Sequence, residues 1–570
     1  MPKIIHLAQN IAPGRDDEFS WHGEQEDQGN LRGTARTLDN CDGDWQMAEN
    51  RRLRLQPGVL SRAGWTVVDD TASLVLSPEG LPVPRQAAAG YRDLYFLGYG
   101  ARYQQCLRDY FRLTGFPPLL PKWALGLWWS RWEKYTDDDL RGIVASFAAH
   151  GLPLSVLVID MDWHLVENPY TNGWTGFSWN PAFFRDPPEF FQWLHGQDIH
   201  ACLNLHPADG VQPHETRYAA MAAHMGIDPA SMQPIPFDIA DPRFIAGYFQ
   251  QMLHPLEADG VDFWWMDWQQ QAHTRVAGLD PLWALNHLHA GDLARDGRKR
   301  PLVFSRWGDR GAHRYPIGFS GDSYRTWATL AFEVYFTATA ANDGFGWWSH
   351  DLGGFARGGH DDELYLRWVQ FGCLSPIFRL HNCGDPTLDY RPWSKSAPIA
   401  DAAMAAMALR RRLLPYLYTA AWKHHGGGPA LCAPLYHYHL QAEEAYLCPQ
   451  AYYFGASLIA APYTQPADDS TRLSRQTLWL PEGEWFDFQS GQSYTGGRFL
   501  SVYGDFAHMP LFATAGAIIP LAGETAEEIE FLSFPGESGT GELYDDDGAS
   551  MAYADNVCRK YSVNPIDFPT

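Results

Sequence analysis

Eight short apolar runs, each separated from the next by a longer polar segment, constrain this chain more than any other feature. They cover residues 124–130 (ALGLWWS), 154–163 (LSVLVIDMDW), 200–207 (HACLNLHP), 261–268 (VDFWWMDW), 301–307 (PLVFSRW), 318–323 (GFSGDS), 344–351 (GFGWWSHD) and 375–381 (SPIFRLH). Their hydrophobicity is continuous rather than alternating, which marks strands covered on both faces, as in a parallel sheet dressed with helices. The intervening segments 136–150 and 280–295 carry helical apolar spacing, and Thr136 followed by three Asp is a strong helix start. Eight βα steps predict an α/β fold with a (β/α)8 TIM barrel over 119–425.

What ends the runs is more telling. Asp160 and Asp162, His206, Asp267, Arg306, Asp322, Asp351 and His381 close seven of them. The carboxyl ends of barrel strands meet at one mouth, so these groups are expected to converge. Either side of the barrel the pattern changes to short strands. Residues 1–118 alternate around turns such as Asp69-Asp70, and 426 onward carries turn signals at Gly426–Pro429 and Pro481–Gly483. We read a small N-terminal β unit (1–118), a proximal C-terminal β domain (426–524) and a reduced distal one (525–570).

Composition excludes several function classes. The net charge of −24 argues against nucleic acid or an anionic membrane as partner. No window reaches the 18 or so apolar residues of a membrane span. The 24 Trp suggest flat faces for stacking on sugar rings. The eight cysteines are scattered without a CxxC pair, and the first ten residues make a poor secretory signal, so a cytoplasmic location is expected.

The chemistry is densest in Gly260–Gln270, where Asp267 ends a Trp-flanked strand. Asp322 sits in a Gly-flanked loop at another strand end. Two carboxyls facing one aromatic pocket are the minimal kit for glycoside hydrolysis: one attacks the anomeric centre, the other gives and takes a proton. Asp160 and Asp162, two apart on an extended strand, are expected to point the same way and grip sugar hydroxyls. They also form a bare DxD, but no HExxH or DxDxDG pattern accompanies it, and neither metal nor cofactor is expected.

Ordered motifs along 31–555 resemble glycoside hydrolase family 31, the α-glucosidase and α-xylosidase family of retaining enzymes. They include Val158-Ile-Asp-Met-Asp-Trp163, Trp265-Met-Asp267, Ser305-Arg306, Ser320-Gly-Asp322, Asp351-Leu-Gly-Gly-Phe355, Pro376–His381 and Leu543–Gly548. The resemblance implies a shortened N-terminal β-sandwich before the barrel and β domains after it. It implies Asp267 as nucleophile and Asp322 as general acid/base. Arg306 would bind the sugar and support the acid/base, and Asp351 would pair with that arginine. Asp160 and His381 would grip hydroxyls, Phe355 would form a wall, and Trp265 and Met266 would flank the nucleophile. Trp268 and Trp307, beside proposed catalytic groups, are counted as further sugar contacts. One departure stands out: Asp267-Trp-Gln-Gln270 replaces the Asp-Met-Asn-Glu usual in the family's α-glucosidases.

The expected function is a retaining, exo-acting α-glycosidase acting on an oligosaccharide or α-glycoside. The alternatives are an α-transglycosidase, a galacto, xylo or N-acetylated specificity, and an inactive carbohydrate-binding protein.

Overall fold

A computed structural model describes residues 3–8, 29–36, 38, 55–86, 90–267, 270, 273–306, 308–385, 387–523, 528–536, 541–555 and 559–563. All eight apolar runs contain strands of one parallel sheet. In chain order these are β1 (Leu127–Trp132), β2 (Val156–Asp160), β3 (His200–Leu205), β4 (Phe263–Met266), β5 (Val303–Ser305), β6 (Gly318–Phe319), β7 (Trp348–Ser349) and β8 (Phe378–Leu380). Each pairs with its neighbour in sequence, and β8 returns to β1 with Phe378 opposite Leu127. Parallel bridges from Ser349 to Ile377 and from Leu352 to Leu380 join β7 to β8, so the sheet closes.

Local chemistry sets the connecting helices. Asp137–Ala149 starts in a capping box, in which the Thr136 hydroxyl accepts from the Asp139 amide at 3.1 Å and the Asp139 carboxylate accepts from the Thr136 amide at 2.9 Å. Pro281–Leu293 begins at Asp280, whose carboxylate accepts from two amides of the first turn, with Pro at the first helical position. One βα step is degenerate: between β5 and β6 the described residues hold only a 3₁₀ turn, Ala312–Arg314. Gly308, Gly311 and Pro316 leave that short segment no room for a regular helix.

Side-chain parity decides what faces the barrel axis. Residues 263 and 265 of β4, 304 of β5 and 319 of β6 point inward, and Trp265 packs against Phe304 and Phe319 at 5.0 and 5.3 Å between ring centroids. Residues 264 and 266 alternate outward, and the Trp264 indole donates to Glu257 in the helix His254–Asp259.

Among the described N-terminal residues there is one three-stranded antiparallel sheet (Lys3–Ala8, Asp93–Gly98, Trp65–Asp69) and a helix, Tyr103–Thr114. After the barrel, a six-stranded antiparallel sheet spans Cys432 to Thr514. The hairpin of Ile518–Ala522 with Ile529–Ser533 bridges position 525, so the two C-terminal pieces share strand pairing across it. The last hairpin, Gly541–Asp545 with Arg559–Val563, leads into a cluster on the barrel's far end. There Arg300, just before β5, pairs with Asp546 at 2.8 Å with both side chains sealed, and Lys122, just before β1, pairs with Asp545 at 2.7 Å. No helix of the described residues is long and apolar enough to cross a membrane.

Candidate active site

The carboxyl ends of the strands surround a cavity of about 410 Å³ including its open mouth. Asp267, the first residue past β4, is held by its backbone amide on the Leu205 carbonyl at 3.3 Å. Arg306, the first past β5, is held likewise on the Met266 carbonyl at 3.2 Å. Its guanidinium reaches two carboxylates: Nε donates to Asp267 Oδ1, and Nη2 donates to Asp322 Oδ1 at 2.6 Å. Asp322 follows Gly321, whose φ of +88° turns the chain sharply off β6 at a backbone angle that disfavours a side chain.

Asp267 and Asp322 share one cation but differ in exposure. Burial alone would push Asp267 up, but Arg306 and then the His206 imidazole, 3.2 Å from Oδ2, hold it well below the usual carboxylate range. Asp267 is therefore held in its ionised form. Asp322 is the more open of the two carboxyls, with 21% of its side chain exposed against 11% for Asp267.

Asp160 lies across the cavity. Burial and then the neighbouring Asp267 charge push its carboxyl well above the usual range, and it accepts from the Asn204 amide. His381 stands 3.8 Å from it, with Nδ1 2.6 Å from the Ser130 hydroxyl. Burial, then the Arg379 charge, lower the His381 pKa well below 6.5, so the ring is a neutral hydrogen-bonding group. Aromatic rings line the rest: Trp265 at the floor, Phe355 stacked on His381 at 5.4 Å, and Trp132 stacked on Phe355 at 6.2 Å.

Of the residues expected here, the structure brings Asp160, Trp265, Asp267, Arg306, Asp322, Phe355 and His381 around one cavity. Three others face elsewhere. Asp162 does not point with Asp160: the strand ends at Asp160, Met161 and Asp162 both turn left-handed (φ 51° and 49°), and Asp162 ends 3.9 Å from Lys134 instead. Met266 is outward-facing and fully buried, contributing only its carbonyl. Asp351 pairs with Arg379 rather than Arg306, and both side chains are sealed from solvent. Trp268 and Trp307 lie outside the described residues.

Four lining residues were not in the expected set: Trp132, Met161, Trp174 and His206. His206 carried a signal, as the polar group ending β3. Trp132 extends β1 past the apolar run. Trp174 lies in the long connection 161–186, where no periodicity marks it. Among the described residues one triad, His254, Glu257 and Asp292, has ligand atoms close enough for a cation. None of the three lines the cavity, and Arg295 already bonds both carboxylates at 2.6 and 2.8 Å.

Comparison with known proteins finds matches over most of this chain. A family model described as the glycosyl hydrolases family 31 TIM-barrel domain matches residues 117–420, and the family's C-terminal domain matches 428–519. An alpha-xylosidase of Saccharolobus solfataricus is 26% identical over 546 residues, covering 90% of this chain and 71% of that protein. Alpha-glucosidase 2 of Bacillus thermoamyloliquefaciens is 25% identical over 516 residues, covering 80% and 62%. A Flavobacterium johnsoniae dextranase complexed with glucose superposes with a TM-score of 0.72 at 24% identity, covering 84% of this chain and 63% of that one. The cycloalternan-forming enzyme of Listeria monocytogenes gives 0.73 at 22%, covering 94% and 56%. The chain thus spans under two thirds of the length of the second relative and of both solved structures.

Proposed function

Because the chain belongs to glycosyl hydrolase family 31, we propose that it is a retaining, exo-acting α-glycosidase with Asp267 as nucleophile and Asp322 as general acid/base. Asp267 attacks the anomeric carbon while the bond to the leaving oxygen breaks and Asp322 supplies its proton. Water then attacks the same carbon, gives a proton to Asp322, and releases the sugar as the Asp267 ester bond breaks. The observation that carries this reading is the single guanidinium of Arg306 contacting both carboxylates at the cavity. It stabilises an ionised Asp267 in the free enzyme and can shift toward Asp322 as the Asp267 charge is consumed. Neutral His381, and Asp160, whose carboxyl is pushed well above the usual range by burial and then by the Asp267 charge, give hydroxyl-binding groups beside the nucleophile.

The test is a panel of aryl α-glycosides (gluco, xylo, galacto and N-acetylated), with the first-formed anomer read by NMR. A fluorinated glycosyl fluoride should label the peptide carrying Asp267. Net inversion, or a label on another residue, sinks the assignment.

Transfer to a sugar acceptor is the second reading, since one similar chain is a 1,6-alpha-glucosyltransferase and another forms cycloalternan. Product analysis at high acceptor concentration separates the two. We also infer a reducing compartment, the cytoplasm, from the free state of six described cysteines. The barrel is assigned to 119–425, with the β unit 1–118 before it and the β pieces 426–524 and 525–570 after it.

A further inference from the structure

The connection 161–186 carries Trp174 to the cavity, and a group outside the connection holds it there. Phe177 donates its amide to both oxygens of Glu215, at 3.2 and 3.1 Å. The Ser178 hydroxyl donates to Glu215 at 2.6 Å and accepts from the Thr216 amide at 2.7 Å. Thr175 donates to the His206 carbonyl and accepts from the Asp209 amide at 3.1 Å. Between these anchors Gly176 runs so close to His164 that a Cβ would fall 2.2 Å from the ring. The Trp174 ring then meets the His206 imidazole edge-on at 5.3 Å, and His206 is the partner of Asp267.

Glu215 has no exposed side-chain surface, and among the described residues its only ion-pair contact is His214 at 3.6 Å. Burial outweighs the Ser178 and Phe177 bonds and lifts its carboxyl to about 7. An apolar residue would fill this space at lower cost, so the role of the carboxyl lies in the two donors it takes from one loop.

We propose that Glu215 is a positioning residue that holds Trp174 against the sugar cavity through the Phe177 amide and the Ser178 hydroxyl. It thereby sets substrate affinity without touching substrate. This rests on the glycosidase reading of the cavity, and the test separates the two.

The experiment is a double-mutant cycle of Glu215→Ala and Trp174→Ala in the full chain. The substrate is p-nitrophenyl α-D-glucoside or α-D-xyloside, whichever the unmodified protein turns over faster. Each single variant should raise KM about tenfold with kcat within about threefold, and the double variant should be no worse than Trp174→Ala alone. Glu215→Gln keeps an acceptor oxygen for the loop and should stay within about threefold in KM. Additive penalties overturn the proposal, as does a fall in kcat at unchanged KM. If Glu215→Ala does not fold, Ser178→Ala replaces it, with a KM rise of about threefold and the same lack of additivity.

Amide hydrogen exchange gives a readout independent of turnover. Glu215→Ala, or Ser178→Ala in its place, should speed exchange at 174–178 about tenfold with the barrel strands unchanged. Unchanged exchange there overturns the proposal. Failure of the unmodified chain to turn over any α-glycoside overturns the glycosidase reading instead, while the exchange result still decides whether Glu215 holds the loop.

Discussion

Two arginines of the barrel each bond an aspartate and lie over Phe319, but their surroundings differ. Arg306 lies at the mouth, bonded to Asp267 and Asp322, with Phe319 4.7 Å beneath it. Arg379 lies deeper, bonded to Asp351 and stacked over Trp265, Phe304 and Phe319 at 4.9 to 5.3 Å. It also reaches the hydroxyls of Ser349 at 2.9 Å and Ser130 at 3.4 Å. Burial penalises both members of the deeper pair, pushing Asp351 up and Arg379 down. At the mouth, one cation shared by two carboxylates keeps Asp267 ionised beside open space. The lesson is that a buried Asp–Arg contact does not mark chemistry. A carboxylate becomes a reagent when it faces volume that a ligand can fill, and a brace when that volume is already filled by rings.

The largest expected effect belongs to the mouth. Asp267→Ala should cut kcat/KM on the best aryl α-glycoside by at least roughly 10⁴-fold while leaving the chain folded. The distinction collapses if Asp351→Ala does the same at an unchanged melting point. Next, Asp322→Ala should cost roughly 10²–10⁴-fold. That deficit should shrink as the phenol leaving group becomes more acidic, because such a group needs no proton. An equal deficit across the phenol series would remove Asp322 from the acid role.

The deeper pair should answer in stability instead. Asp351→Ala leaves a sealed guanidinium without its partner and should cost about 3–5 kcal/mol in denaturant unfolding, with activity per folded molecule nearly retained. The smallest effect concerns pH. Glu215 has a folded pKa of about 7 against an ordinary 4.5, so the folded state keeps a proton that the unfolded chain has released between those values. Its contribution is fully present below pH 4.5 and is lost as pH rises to 7, a slope worth about 3 kcal/mol. Glu215→Gln should flatten that part of the stability-versus-pH curve, and an unaltered slope would refute the assignment.

The barrel was legible because each strand is buried on both faces and so reads as an unbroken apolar run. Its mouth was legible because a polar residue ending such a run has few other uses. What sequence could not supply was direction. Asp160 and Asp162 look equivalent until two left-handed residues turn the second away. Asp351 ends its run as Asp322 does, but the partner it meets is set by Arg379 on the neighbouring strand, 28 positions later. Trp174 was hidden for another reason: its place depends on Glu215, 41 positions downstream, and a loop held by hydrogen bonds has no period to read.

The cluster at the far end of the barrel carries a consequence in time. Lys122 and Asp545, joined there, lie 423 positions apart, and Arg300 and Asp546 lie 246 apart. At roughly 5–20 residues per second, a ribosome needs tens of seconds to pass from the first member of the longer pair to the second. The barrel strands are therefore all synthesised before the last hairpin that packs against their far end. Each new molecule passes through an interval in which Arg300, sealed in the finished fold, has no Asp546 carboxylate to pair with.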